Sequence, residues 1–159
     1  MGRDKTHADE LTESIRANAQ ETVDRVNGLM KLWAEDHGYG VMNAIEVSSG
    51  WRPLSVNLST PNAALSSKHM TGEAVDLKDD KDRSFARWCL RNTVPLCHQE
   101  GRADLLQEIG LWMEQPQWTP TWVHLQTVPP HSGRRVFVPS ENPPLAAALP
   151  EQERALALA

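Results

Sequence analysis

The chain has 159 residues, 40 % hydrophobic and 23 % charged, with a formal net charge of −5. These are the proportions of an ordinary globular protein with one core. The acidic balance argues against nucleic acid as the main partner, because phosphate recognition needs a basic surface. No run of apolar residues is long enough to span a bilayer, so no stable membrane insertion is expected.

The first ten residues are charged and lack the apolar stretch of a secretory signal, so synthesis in the cytoplasm is expected. Residues from about 8 to 36 read as a long helix, with Leu11, Ile15, Val23, Val26, Met30 and Trp33 at three- and four-residue steps and Gly38 and Gly40 as the stop. We read this helix as scaffold. Residues 44–49 form a strand candidate broken by Gly50-Trp51-Arg52-Pro53, and residues 53–68, rich in Ser, Asn, Pro and Thr, read as loop. Glu73 to Leu77 alternates as a strand does. Asp82 is a candidate cap for a helix that runs to about Asn92. A short helix over about 103–109 ends at Gly110, residues 111–114 and 122–127 make two strands, and 135–138 a last one. One domain is expected over residues 1–142, with a tail or short helix over 143–159. The fold class is α+β: a small antiparallel sheet flanked by helices. The six tryptophans are read mainly as core filling. Cys89 and Cys97 form no CxxC pair and read as free thiols of a reducing compartment. Neither has a convincing histidine partner for cysteine catalysis.

The chemistry concentrates in Ser67-Lys68-His69-Met70-Thr71-Gly72-Glu73-Ala74-Val75-Asp76 and, downstream, in Trp122-Val123-His124-Leu125-Gln126. Two histidines and a carboxylate are a ligand set for a catalytic zinc whose fourth position stays open to water. On one continuous helix His69 and Asp76 would lie about 10 Å apart along the axis, too far to share an ion. Gly72 breaks the segment, which lets a turn carrying His69 fold back beside a strand carrying Asp76. On that strand Ala74 and Asp76 share one face, and Val75 and Leu77 the other; downstream, Trp122, His124 and Gln126 share a face. By spacing alone, a strand histidine also serves as an ordinary structural residue and an aspartate before a turn as a cap.

The pattern Ser67-x-His69-x-x-Gly72-x-Ala74-x-Asp76, followed by Trp122-Val123-His124, resembles the zinc D-Ala-D-Ala carboxypeptidase family. That family includes VanY-type carboxypeptidases, VanX-type dipeptidases and phage L-alanyl-D-glutamate endolysins. It belongs to a larger set of peptidoglycan peptidases with lysostaphin and the hedgehog signalling domain. Ser49-Gly50-Trp51-Arg52 is similar to the family's Ser-x-x-Arg element, and the resemblance covers about residues 45–138. It implies one Zn2+ per chain on His69, Asp76 and His124, with a water as fourth ligand. It implies that Arg52 binds a substrate carboxylate or stabilises the oxyanion, and that Ser67 orients the loop or touches the substrate. The expected activity is hydrolysis of peptidoglycan stem peptides by a monomer, as an endolysin-type, virion-borne or carboxypeptidase-type enzyme.

One departure matters. Many relatives place a carboxylate three residues before the last histidine, as general base; here that position is Thr121. If residues 111–114 and 122–126 form a hairpin, Glu114 lies across from about Trp122 and can approach His124, which makes it the candidate base. Glu73 is second, since strand alternation turns it from the face of Asp76. A zinc-binding module with weak or lost catalysis is the alternative that Thr121 keeps open.

Overall fold

The computed structural model describes residues 2–38, 40, 45–61, 63–93 and 104–139. The expected tail over 143–159, and Cys97, lie outside them. In chain order the elements are helices α1 (Arg3–Thr6) and α2 (Glu13–His37), strand β1 (Val47–Ser49), helix α3 (Leu54–Leu58), strand β2 (Ala74–Lys78), helices α4 (Ser84–Thr93) and α5 (Leu105–Ile109), and strands β3 (Trp112–Glu114), β4 (Trp122–Gln126) and β5 (Val136–Phe137). A 3-10 turn covers Pro116–Trp118. The class is α+β, as expected.

The long helix starts later than periodicity suggested, because the Thr12 side chain accepts from the Ile15 amide and caps it there. The residues before it form the separate α1. The stretch read as loop contains α3, opened by Pro53 in an extended conformation. Asp82 is not the cap of α4. The Asp79 carboxylate accepts from the Phe85 and Ala86 amides at 3.2 and 3.0 Å, and Asp80 accepts from Ser84 at 3.0 Å.

The five strands lie in the order β1-β2-β4-β3-β5. Three pairs are antiparallel, but β5 runs parallel to β3, so the sheet is mixed and not wholly antiparallel. The reason is positional. Both flanks of β4 are already paired, with β2 and with β3, so the returning chain adds beyond β3. β3 and β5 both run opposite to β4, and the two therefore run the same way.

One face of the sheet is apolar. Val75, Leu77, Met113, Val123 and Leu125 pack on Val26, Leu29, Met30 and Trp33 of α2 and on Phe85, Trp88, Leu105 and Leu106 of α4 and α5. Trp33 meets Phe85 and Trp88 edge-on, with ring centroids 5.4 and 5.3 Å apart. Only these two tryptophans are buried; Trp51, Trp112 and Trp122 are half-buried and Trp118 is exposed, so core filling does not describe most of the six. Cys89 is free and wholly buried in this core, and burial pushes its thiol far above the ordinary range. Among the described residues, no helix is long and apolar enough to cross a membrane.

Candidate metal centre

The opposite face of the sheet carries the site. Directly opposed residues on neighbouring strands project to the same side. Ser49 pairs with Asp76, and Asp76 with His124. On the far side of β4, Trp112 pairs with Gln126 and Met113 with Leu125; carried one residue further, the same register sets Glu114 across from His124. Phe137 stands beside Glu114 on β5. One row across five strands therefore reads Ser49, Asp76, His124, Glu114, Phe137. The expected pairing of Glu114 with Trp122 is off by two residues. The Pro116–Trp118 turn and Thr119 to Thr121 project past the end of β3, so Trp122 and Val123 pair only with β2.

His69 comes from the turn before β2. The turn closes through Met70 N to Ser67 O at 3.0 Å and Glu73 N to Lys68 O at 3.0 Å. Gly72 takes φ +76°, a conformation that favours glycine. The chain thus bends back, and His69 Nε2 lies 3.2 Å from Asp76 Oδ2 while His124 Nδ1 lies 2.8 Å from Asp76 Oδ1. One ligand atom from each of the three residues falls within 4.8 Å of the others, and the group could hold a metal ion. His69 Nδ1 donates to Gly50 O at 2.9 Å, which fixes the ring and leaves its Nε2 lone pair toward Asp76. Gln126, the neighbour of His124 on the same face of β4, donates from its amide nitrogen to Val128 O at 2.7 Å.

The electrostatics suit a cation. Burial works against the Asp76 carboxylate, but its close contacts with His124 and His69 outweigh it and hold its pKa well below the usual range. Burial lowers the pKa of His69, favouring the neutral imidazole that a metal needs. Burial acts the same way on His124, but the Asp76 hydrogen bond and charge prevail and raise it. Glu114 is raised by burial and by the nearby Asp76 charge, against a lowering by His124. A partly buried carboxylate poised upward beside His124 is suited to accept a proton.

Arg52 follows β1 and reaches the same group. Its backbone amide donates to His69 O at 2.9 Å. Its guanidinium donates to Ser49 Oγ at 3.2 Å and Asn57 Oδ1 at 3.3 Å and lies 4.0 Å from Asp76 Oδ2. Asn57, 2 % exposed, is held in turn by Ala64 O at 2.9 Å. Ser67 shapes the turn: its hydroxyl accepts from the His69 amide at 3.4 Å. Glu73 is engaged elsewhere, accepting from Thr71 Oγ1 at 2.7 Å and lying 3.4 Å from Lys68 Nζ. Thr121 is exposed at the end of β4, and its carbonyl accepts from Asp79 N at 3.2 Å.

The structure thus brings together His69, Asp76, His124, Arg52 and Glu114, and leaves Glu73 apart. Sequence reasoning missed Gly50, which acts through its carbonyl and so has no side-chain signature, and Asn57, which read as loop. Gln126 was visible as a same-face neighbour of His124 but drew no role. No family model matches the chain, and neither does any curated protein or solved structure.

Proposed function

We propose that the protein is a zinc peptidase that hydrolyses peptide bonds in peptidoglycan stems. The observation that carries this reading is the convergence of His69 Nε2, Asp76 and His124 Nδ1 on one point, with Glu114 next in the same cross-strand row. Two histidines and one carboxylate are a set that zinc accepts, with short N and O bonds and a position left for water. The resemblance of the Ser67 to Asp76 segment supports both the metal and the substrate class.

Zinc, when bound, supplies an acidified water and an electrophile for the scissile carbonyl. Asp76, 13 % exposed at its side chain, gives the site a fixed negative charge. Its two oxygens face the two histidines and keep both rings aimed at one place. Gly50 sets the donor atom that His69 presents. Glu114 takes the water's proton and returns it to the leaving amine. Arg52, with its five donors already oriented by Ser49 and Asn57, pairs with a substrate carboxylate or with the oxygen that gains charge in the transition state. Such an enzyme meets its substrate in the cell wall, after release from the cytoplasm or from a virion.

The test is direct. The protein, loaded with one zinc per chain, is incubated with purified sacculi, and the new peptide termini are identified by mass. Release of one class of terminus, lost in His124→Ala, is the expected result. Intact sacculi in the presence of fully zinc-loaded protein would overturn the reading in favour of a zinc-binding module without catalysis.

A further inference from the structure

The long helix α2 carries none of the motif residues, yet it grips the turn that carries His69. Thr22, 3 % exposed, places its hydroxyl 2.8 Å from Gly72 O and 2.9 Å from Asn18 O. Asn18 Nδ2 donates to Thr71 O at 2.9 Å. The fit is close: a Cβ on Gly72 would stand 2.7 Å from Ile15 O and 3.1 Å from Ala19 N, both backbone atoms of the helix.

From the other side the turn is held by residues 50–52. Arg52 N donates to His69 O at 2.9 Å, Trp51 Nε1 to Met70 O at 3.1 Å, and His69 Nδ1 to Gly50 O at 2.9 Å. Beside these contacts a half-open pocket of about 160 Å³ is bounded by Ala19, Thr22, Val26, Gly50, Gly72 and Val75. Close packing normally fixes a buried segment because nothing can move into filled space. Here Gly72 packs directly against backbone atoms of α2, and Thr22 and Asn18 add the directional contacts that fix the register of the turn on the helix.

We propose that α2 is a positioning element of the metal centre, with Thr22 and Asn18 setting the Thr71–Gly72 backbone so that His69 Nε2 faces Asp76. Metal affinity is then coupled to the docking of this helix. The proposal rests on reading the three ligands as a metal centre. It adds to that centre an element outside all the sequence motifs.

The experiment uses the full chain as wild type, Thr22→Val, Thr22→Ser and Asn18→Ala. Lys31→Ala, an exposed site on the same helix, is the control. Zinc affinity is read by competition with a chromophoric chelator, and amide hydrogen exchange is followed over residues 69–73. Thr22→Val keeps the shape and removes the hydroxyl. It is expected to weaken zinc binding about 10- to 100-fold, the usual effect of losing a residue that orients a ligand, and to speed exchange in the turn while β2 and β4 stay protected. Thr22→Ser restores both readouts, and Lys31→Ala leaves both at wild-type values. Zinc affinity within twofold of wild type in a folded Thr22→Val would overturn the proposal, as would an equal loss in Lys31→Ala. If the wild type binds no zinc, the metal-centre reading fails instead. Exchange in the metal-free chain distinguishes the two, because unchanged protection of 69–73 in Thr22→Val overturns the grip itself.

Discussion

At the scale of single residues, Asp76 is the group on which the others depend. It pairs with His124, lies 3.2 Å from His69 Nε2 and 4.0 Å from Arg52, so its charge decides which protonation states surround it. His124 illustrates the consequence. Its pKa is raised, so a proton competes with the metal for Nδ1 to higher pH than on an ordinary histidine. Zinc affinity should therefore climb as pH rises through and beyond the usual histidine range of about 6.5; chelator competition across that range checks this, and a flat profile would contradict it. The stability of the metal-free chain follows a different curve. Asp76 has a depressed pKa, so its contribution is present above the unfolded value of about 4 and is lost as pH falls through the folded one. The raised His124 contributes stability that fades with rising pH, and the lowered His69 contributes in the opposite sense, so their effects oppose near neutrality. Glu114 makes the sharpest catalytic prediction. Glu114→Gln keeps the size of the side chain and removes the proposed base. It should lower turnover about 10²- to 10⁴-fold with zinc content unchanged. Turnover near wild type would assign the proton transfer to another group.

At the scale of elements, the site is made where a tight turn meets two rigid strands. Gly72 is the hinge of that arrangement, with φ +76° and no room for a Cβ against α2. Gly72→Ala is expected to cost about 1–3 kcal/mol from the left-handed backbone alone. That lowers the melting temperature by roughly 2–10 °C in a chain of this size, and the clash with Ile15 O adds to it. Zinc affinity should fall in parallel, measured by the same competition assay. This level was partly legible in the sequence. The alternation of Ala74 to Leu77 and of Trp122 to Gln126 revealed which residues share a face, because period two is a local property. The bend at Gly72 was legible for the same reason. Registers and caps were not. The offset of Glu114 depends on how far the Pro116–Trp118 turn overshoots β3, and the cap of α4 depends on Asp79 reaching forward six and seven residues. α3 hid in a segment whose Ser, Asn and Pro content is that of a loop.

At the scale of the molecule, the class and the long helix could be read from periodicity, whereas the grip of α2 on the motif turn could not. That grip joins Asn18 and Thr22 to Thr71 and Gly72 across about fifty residues, and nothing local announces such a pairing. The parallel β5 was equally hidden, since strand direction depends on which edges remain open. A metal that binds the folded state alone should stabilise the whole molecule. At zinc concentrations 100-fold above Kd the gain is about 2.7 kcal/mol, or roughly 5–10 °C in melting temperature, reversed by a chelator. Unchanged melting on zinc addition would place no ion in the folded protein.

The central pairing of β2 with β4 has a consequence for how the molecule comes together. Asp76 and His124 are 48 positions apart and become neighbours only when these two strands, the middle of the sheet, align in register. A slip of one residue would turn His124 away from Asp76, to the apolar face. The unfolded chain therefore offers an ion only the local His69–Asp76 pair, and full coordination awaits the slowest kind of contact a chain makes, a distant one. On the proposed reading, arrival of the ion is a timestamp on assembly: a spectroscopic metal probe added during refolding would report the moment the sheet closes.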